Sequence, residues 1–104
     1  MNKFFNFLGL AKRSGSLLEG YSKCNEERNR KKLYLFIISN DASDSSKRKF
    51  INHCKINNIP YIQEFSKEEL GLAIGRPEIK ILAILDEKIS KKLLSLYEEE
   101  KYMK

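Results

Sequence analysis

The chain has 104 residues, 41% apolar and 33% charged, with two cysteines, one histidine and a net charge of +6. That length suits one domain, residues 1–104, with a core of its own, and leaves no room for a second. The longest apolar runs, 33–38 and 81–85, fall far short of the roughly 20 residues a membrane-spanning helix needs.

The charge is uneven. Residues 1–57 carry twelve Lys/Arg against five Asp/Glu, whereas residues 58–104 carry eight against nine. Clusters at Lys12-Arg13, 28–32 and Lys47-Arg48-Lys49 make the first half electropositive, which points to a polyanion, nucleic acid first. A solvated helix face accounts for such runs equally well, so charge alone decides nothing.

In chain order, Phe4, Phe5, Leu8 and Ala11 or Lys12 mark one face of a first helix that ends at Arg13-Ser-Gly15. Although apolar, this segment lacks a charged n-region and an Ala-x-Ala end, so it reads as an amphipathic helix of a cytoplasmic protein. Residues 16–19 are a short extended piece punctuated by Gly20. Residues 21–31 form a weakly amphipathic helix, with Tyr21, Cys24 and the stem of Arg28 on one face, expected at the rim of the fold. Residues 33–39, apolar and β-branched without strict alternation, read as a central strand covered on both faces.

Asp41 or Ser43 is placed to cap a helix over 44–57, with Phe50, Ile51, Cys54 and Ile56 inward. Residues 59–62 form a short strand whose Pro60 suits the first position. Ser66-Lys-Glu-Glu69 is a capping box for a short helix with Leu70, Ala73 and Ile74 inward. Residues 79–85 are a second buried strand, and 87–103 a last helix carrying Ile89, Leu93, Leu94, Leu96 and Tyr97. Helices alternating with strands in this way predict a three-layer α/β/α sandwich.

Little in the chain looks catalytic. His53 stands alone in a polar helix, where a surface position is the simpler reading. Asp41, Asp44 and Asp86 lie near strand ends, but capping explains them more cheaply than Mg²⁺. Cys24 and Cys54 lack ligand spacing and read as reduced, half-buried thiols. No enzyme activity, metal or cofactor is expected. The loops around Gly20, Asn40-Asp41, Lys67 and Gly75-Arg-Pro remain. A glycine before a helix admits close approach of an RNA backbone, and a loop arginine suits an unstacked base.

These residues carry a resemblance over nearly the whole chain. Leu8-Gly-Leu-Ala-Lys-Arg-Ser-Gly15, Leu35-Phe-Ile-Ile38 with Ser-Asn-Asp-Ala-Ser43, Asn58-Ile-Pro-Tyr61 and, most specific, Ser66-Lys-Glu-Glu-Leu-Gly-Leu-Ala-Ile-Gly75 resemble the ribosomal L-seven-Ae / L-thirty-e proteins, and among them the bacterial YlxQ-like branch. The resemblance implies a four-stranded mixed sheet between helical layers and binding of structured, kink-turn RNA. It also implies ribosomal RNA, ribosomal or ribonucleoprotein components as partners, and no membrane. In kink-turn binders the second helix opens with Gly-x-Asn-Glu-x-x-Lys, where Asn and Glu read sheared G·A pairs and Lys meets phosphate. Here Gly20 is kept, but Ser22, Lys23 and Glu26 occupy the other three places. A lysine accepts no hydrogen bond from a guanine edge, so the base reading must differ.

Lys67, Gly75, Arg76 and Pro77 match positions that face RNA in the family, and Asn40 joins the candidate site from the loop reading. The resulting expectation is an RNA-binding protein of altered specificity. The alternative is a protein-interaction module on the same fold that has lost RNA.

Overall fold

A computed structural model describes residues 1–102. The elements run α1 (Asn2–Arg13), β1 (Leu17–Glu19), α2 (Tyr21–Glu27), β2 (Leu35–Ile38), α3 (Asp44–Asn57), β3 (Tyr61–Ile62), α4 (Lys67–Ala73), β4 (Ile81–Ile84) and α5 (Glu87–Lys101). The strands form one mixed sheet ordered β1-β4-β2-β3. β4 is antiparallel to both β1 and β2, while β3 runs parallel to β2. The expected three-layer sandwich is therefore the observed one.

β2 and β4 are central, and all eight of their residues are buried. Alternation sends Leu35, Ile37, Leu82 and Ile84 into one half of the core with α1, α4 and α5. Phe36, Ile38, Ile81 and Ala83 enter the other half, beneath α2 and α3. Burying each of the large ones contributes about 1.5–3 kcal/mol.

The strands are shorter than the apolar runs, but the ladder continues past them. Tyr34 N–H donates to the Ile84 carbonyl (2.9 Å), Ser39 N–H to that of Lys80 (2.8 Å), and Phe36 N–H to that of Pro60 (3.1 Å). Ile79 leaves the ladder because its N–H turns to the Lys67 carbonyl, 3.0 Å away.

Helix starts follow the predicted chemistry. Ser43 caps α3, Ser66 and Glu69 form a reciprocal capping box on α4, and Asp86 caps α5. Asp41 does not cap α3; its Oδ1 accepts from Lys67 N–H at the opening of α4 (3.1 Å).

Five side chains depart from the sequence reading. Ile56 is 79% exposed, because Phe50, His53 and Cys54 define the inward face of α3 and residue 56 lies about 200° around the helix from 54. His53 is buried, not superficial: Arg28 Nη1 lies 3.4 Å and Asn57 Nδ2 3.3 Å from its Nδ1, and the Phe36 ring packs edge-on against it. Both cysteines are fully buried instead of half-buried. α2 stops at Glu27, whose side chain is buried with Cys24 and held by Arg30 and Lys31. The last helix ends at Lys101, and residue 103 of its expected span lies outside the described residues. Among the described residues, no helix is long and apolar enough to cross a membrane.

Candidate nucleic-acid interface

Because β1 and β2 both run antiparallel to β4, their C-terminal ends meet the N-terminal end of β4. That end of the sheet gathers Gly20, Asn40, the α4–β4 loop and the opening of α4. Gly20 N–H donates to the Ile81 carbonyl (2.8 Å), Ser39 N–H reaches Lys80, and the Asn40 side chain holds the Glu64 carbonyl (3.1 Å). Gly20, Lys67 and residues 75–77, remote in sequence, thus share one rim.

Gly20 has φ 95°, ψ 163°, a backbone open only to glycine, and directs the chain from β1 into α2 with no side-chain cap. Ser22, Lys23 and Glu26 are all exposed on α2. Gly75 (φ 79°) ends α4, and Arg76 N–H closes the turn on the Gly71 carbonyl (2.9 Å). Gly71 is needed for another reason. A Cβ there would stand 2.5 Å from Glu78 Cα and 2.8 Å from the Arg76 carbonyl oxygen, so the loop presses directly on α4. Arg76 and Pro77 are exposed at its tip.

Three cations of this rim are not bare. Arg76 Nη1 donates to Glu19 Oε1 (3.2 Å), and Lys12 Nζ donates to Glu19 Oε2 (2.5 Å). Lys67 Nζ lies 3.8 Å from Glu78 Oε2. Burial pushes the Glu19 carboxyl up, but Lys12 and Arg76 outweigh it and hold it below the ordinary carboxylate range. Sequence reasoning missed Glu19 and Glu78, and it named Lys12 only as part of a basic cluster. Glu19 stands beside the essential Gly20 at a strand end, which was a signal, but its partners come from α1 and a distant loop. Among the described residues, no group of three or more His, Cys, Asp or Glu side chains is placed to hold a metal.

A sheet of this order between these two helical layers, with its loops converging on one rim, defines an L7Ae-like α/β/α protein. The profile of the ribosomal protein L7Ae/L30e/S12e/Gadd45 family matches residues 2–94, and the chain belongs to that family. It is 31% identical over 96 residues to the RNA-binding protein YlxQ of Enterococcus faecium, covering 92% of each chain. To the RNA-binding protein YlxQ of Bacillus subtilis (strain 168) it is 29% identical over 94 residues, 90% of this chain and 94% of that one.

Among solved structures, a protein of unknown function from Bacillus halodurans C superposes with a TM-score of 0.86 at 31% identity, over 92% of this chain and 97% of that one. The Giardia lamblia 15.5kD RNA binding protein gives 0.74 at 20% identity, over 91% and 84%. The last is a likeness of fold alone.

Proposed function

We propose that this protein is a cytoplasmic RNA-binding protein that takes structured RNA at the rim formed by Gly20, Asn40, Lys67, Gly75, Arg76 and Pro77. Ser22 and Lys23 stand where kink-turn binders read bases, and Glu26 where they meet phosphate, so its specificity is altered from theirs. Its setting is the ribosome or translation, and it has no catalytic role. The observation that carries this reading is the convergence, from three separate stretches of chain, of a glycine-opened helix, Lys67 and the Arg76 loop on one rim, in a chain whose relatives are named RNA-binding proteins.

The test is a binding titration against a kink-turn RNA and a plain duplex of equal length, at two salt concentrations. Tighter binding of the kink-turn at both salts is the expected result. Equal, salt-sensitive binding would reduce the protein to a general backbone binder.

Binding of neither RNA would favour a protein-interaction module instead. One observation speaks for that second reading. Leu10 (50% exposed) and Leu72 (83% exposed) flank a groove of about 640 Å³ between α1 and α4, lined also by Phe5, Gly9 and Ala73. Apolar side chains so exposed and so close together are common at protein contacts.

A further inference from the structure

The protein's net positive charge does not sit on the rim. Residues 20–58, which contain α2 and α3, carry nine Lys/Arg against four Asp/Glu; the rest of the chain carries eleven against ten. Pairing sharpens the difference. Outside this layer, Lys3, Lys12, Lys67, Arg76, Lys91 and Lys101 each lie within 4 Å of a carboxylate. Within it, only Arg30 and Lys31 do, and both share the buried Glu27. Among the described residues, no carboxylate lies in ion-pair range of Arg28, Arg48, Lys49 or Lys55. Of the layer's acids, only Glu26 and Asp44 are exposed without such a role, since Asp41 is engaged by the backbone of Lys67.

The free cations have a defined arrangement. α2 and α3 both leave the rim, since each follows the C-terminal end of a strand, and they lie side by side. The Tyr21 and Phe50 rings meet edge to face at 5.4 Å, and Arg28 reaches His53. Lys49 Nζ donates to the Tyr21 hydroxyl (2.6 Å) in the seam, one residue beyond Gly20, and Arg28 continues the seam. Arg48 and Lys55, seven residues and so two turns apart, project from the outer face of α3. The fourteen residues of α3 give this track a length of about 21 Å, starting at the rim.

We propose that the α2–α3 layer is a second RNA-contact surface, which holds the phosphate backbone of a double-stranded stem leading away from the segment bound at the rim. The proposal rests on the RNA-binding reading above. Solvated lysines on a helix need no partner, but a layer holding five of the six net charges, with seven of its nine cations without carboxylate partners and continuous with the rim, has the charge complementarity that phosphate contact requires. The rim, whose Lys12, Lys67 and Arg76 are matched by Glu19 and Glu78, then orients the RNA while the layer supplies the salt-dependent affinity.

The experiment compares the wild type with Arg48→Gln/Lys55→Gln and with Lys88→Gln/Lys92→Gln, which removes equal charge from exposed positions on α5 in the opposite layer. Each is titrated with a bent RNA carrying a stem of about one helical turn, and with the same RNA lacking that stem. The expected result is a loss of roughly tenfold for the α3 variant on the long-stem RNA, with the log–log salt slope smaller by about 2, and little change for the α5 variant. Equal behaviour of the two variants, or a loss that does not depend on the stem, overturns the proposal while leaving RNA binding intact. Failure of the wild type to bind either RNA overturns both readings.

Discussion

Arg76 reaches across from the α4–β4 loop to donate to Glu19 Oε1 at 3.2 Å, and Glu19 is the last residue before the glycine that opens α2. The two segments of the rim proposed to face RNA are thereby joined by one ion pair, of which only 18% of the carboxylate side chain is exposed. Lys12 neutralises the other oxygen. A phosphate approaching Arg76 must compete with a carboxylate already in place.

Glu19→Gln removes that competitor while keeping its shape. It should tighten binding to both a kink-turn RNA and a plain duplex at low salt, by about 2–10-fold, and reduce the ratio between them. The cost to stability should be on the order of 1 kcal/mol, from the two lost charge-assisted hydrogen bonds. Because the folded carboxyl titrates below its ordinary range, this contribution is complete above about pH 4.5 and is lost as the pH falls through the folded value. Unchanged or weaker duplex binding by the variant would show that Glu19 positions Arg76 more than it shields it.

Arg76→Glu places a second carboxylate beside Glu19 at the tip of the loop. It should weaken RNA binding far more than Lys101→Glu, although the two changes in net charge are equal. Lys101 sits at the end of α5 against Glu64. Titration of both variants at one salt concentration decides the matter, and equal losses would mean that binding is diffuse.

Gly71→Ala tests how the loop is held. The new Cβ would lie 2.5 Å from Glu78 Cα and 2.7 Å from Glu78 N, backbone atoms with no freedom to swing aside. The loop must shift, carrying Arg76 with it. A destabilisation of about 1–3 kcal/mol in urea denaturation is expected, together with weaker RNA binding. A variant as stable as the wild type would contradict the packing described for this loop.

Much of this architecture was legible in the residues themselves. The uninterrupted apolar runs marked β2 and β4, and Ser66 with Glu69 marked the start of α4, because burial on two faces and reciprocal capping leave local signatures. The loops of the rim were also legible, since Gly20 and Gly75 punctuate the chain. What escaped were the consequences of packing between distant elements. Ile56 lies outside because the inward face of α3 is set by Phe36 and α2, and Glu27 lies inside because Arg30 and Lys31 bend back to it. The pairing of Arg76 with Glu19 and of Lys67 with Glu78 belongs to the same class. Single-residue chemistry marks these groups as cations, and only the sheet order brings the carboxylates beside them.

His53 links stability to pH. It is 5% exposed, and burial first and the neighbouring Arg28 charge second hold its imidazole below the ordinary value. The folded chain therefore takes up a proton less readily than the unfolded chain does. Its contribution is complete above about pH 6.5 and is lost as the pH falls through the window beneath it. The carboxylates Glu19 and Glu100, both held below their ordinary range, titrate lower and do not mask this window. The urea midpoint should drop between about pH 7.5 and pH 5.5 in the wild type and stay level in His53→Gln, whose side chain does not titrate there. Protonation also sets a positive ring against Arg28, the contact that ties α2 to α3. RNA binding in the same pH interval should weaken in the wild type and hold steady in the variant. A wild-type midpoint that is flat across the interval, or an equal drop in both proteins, would rule out His53 as the titrating group.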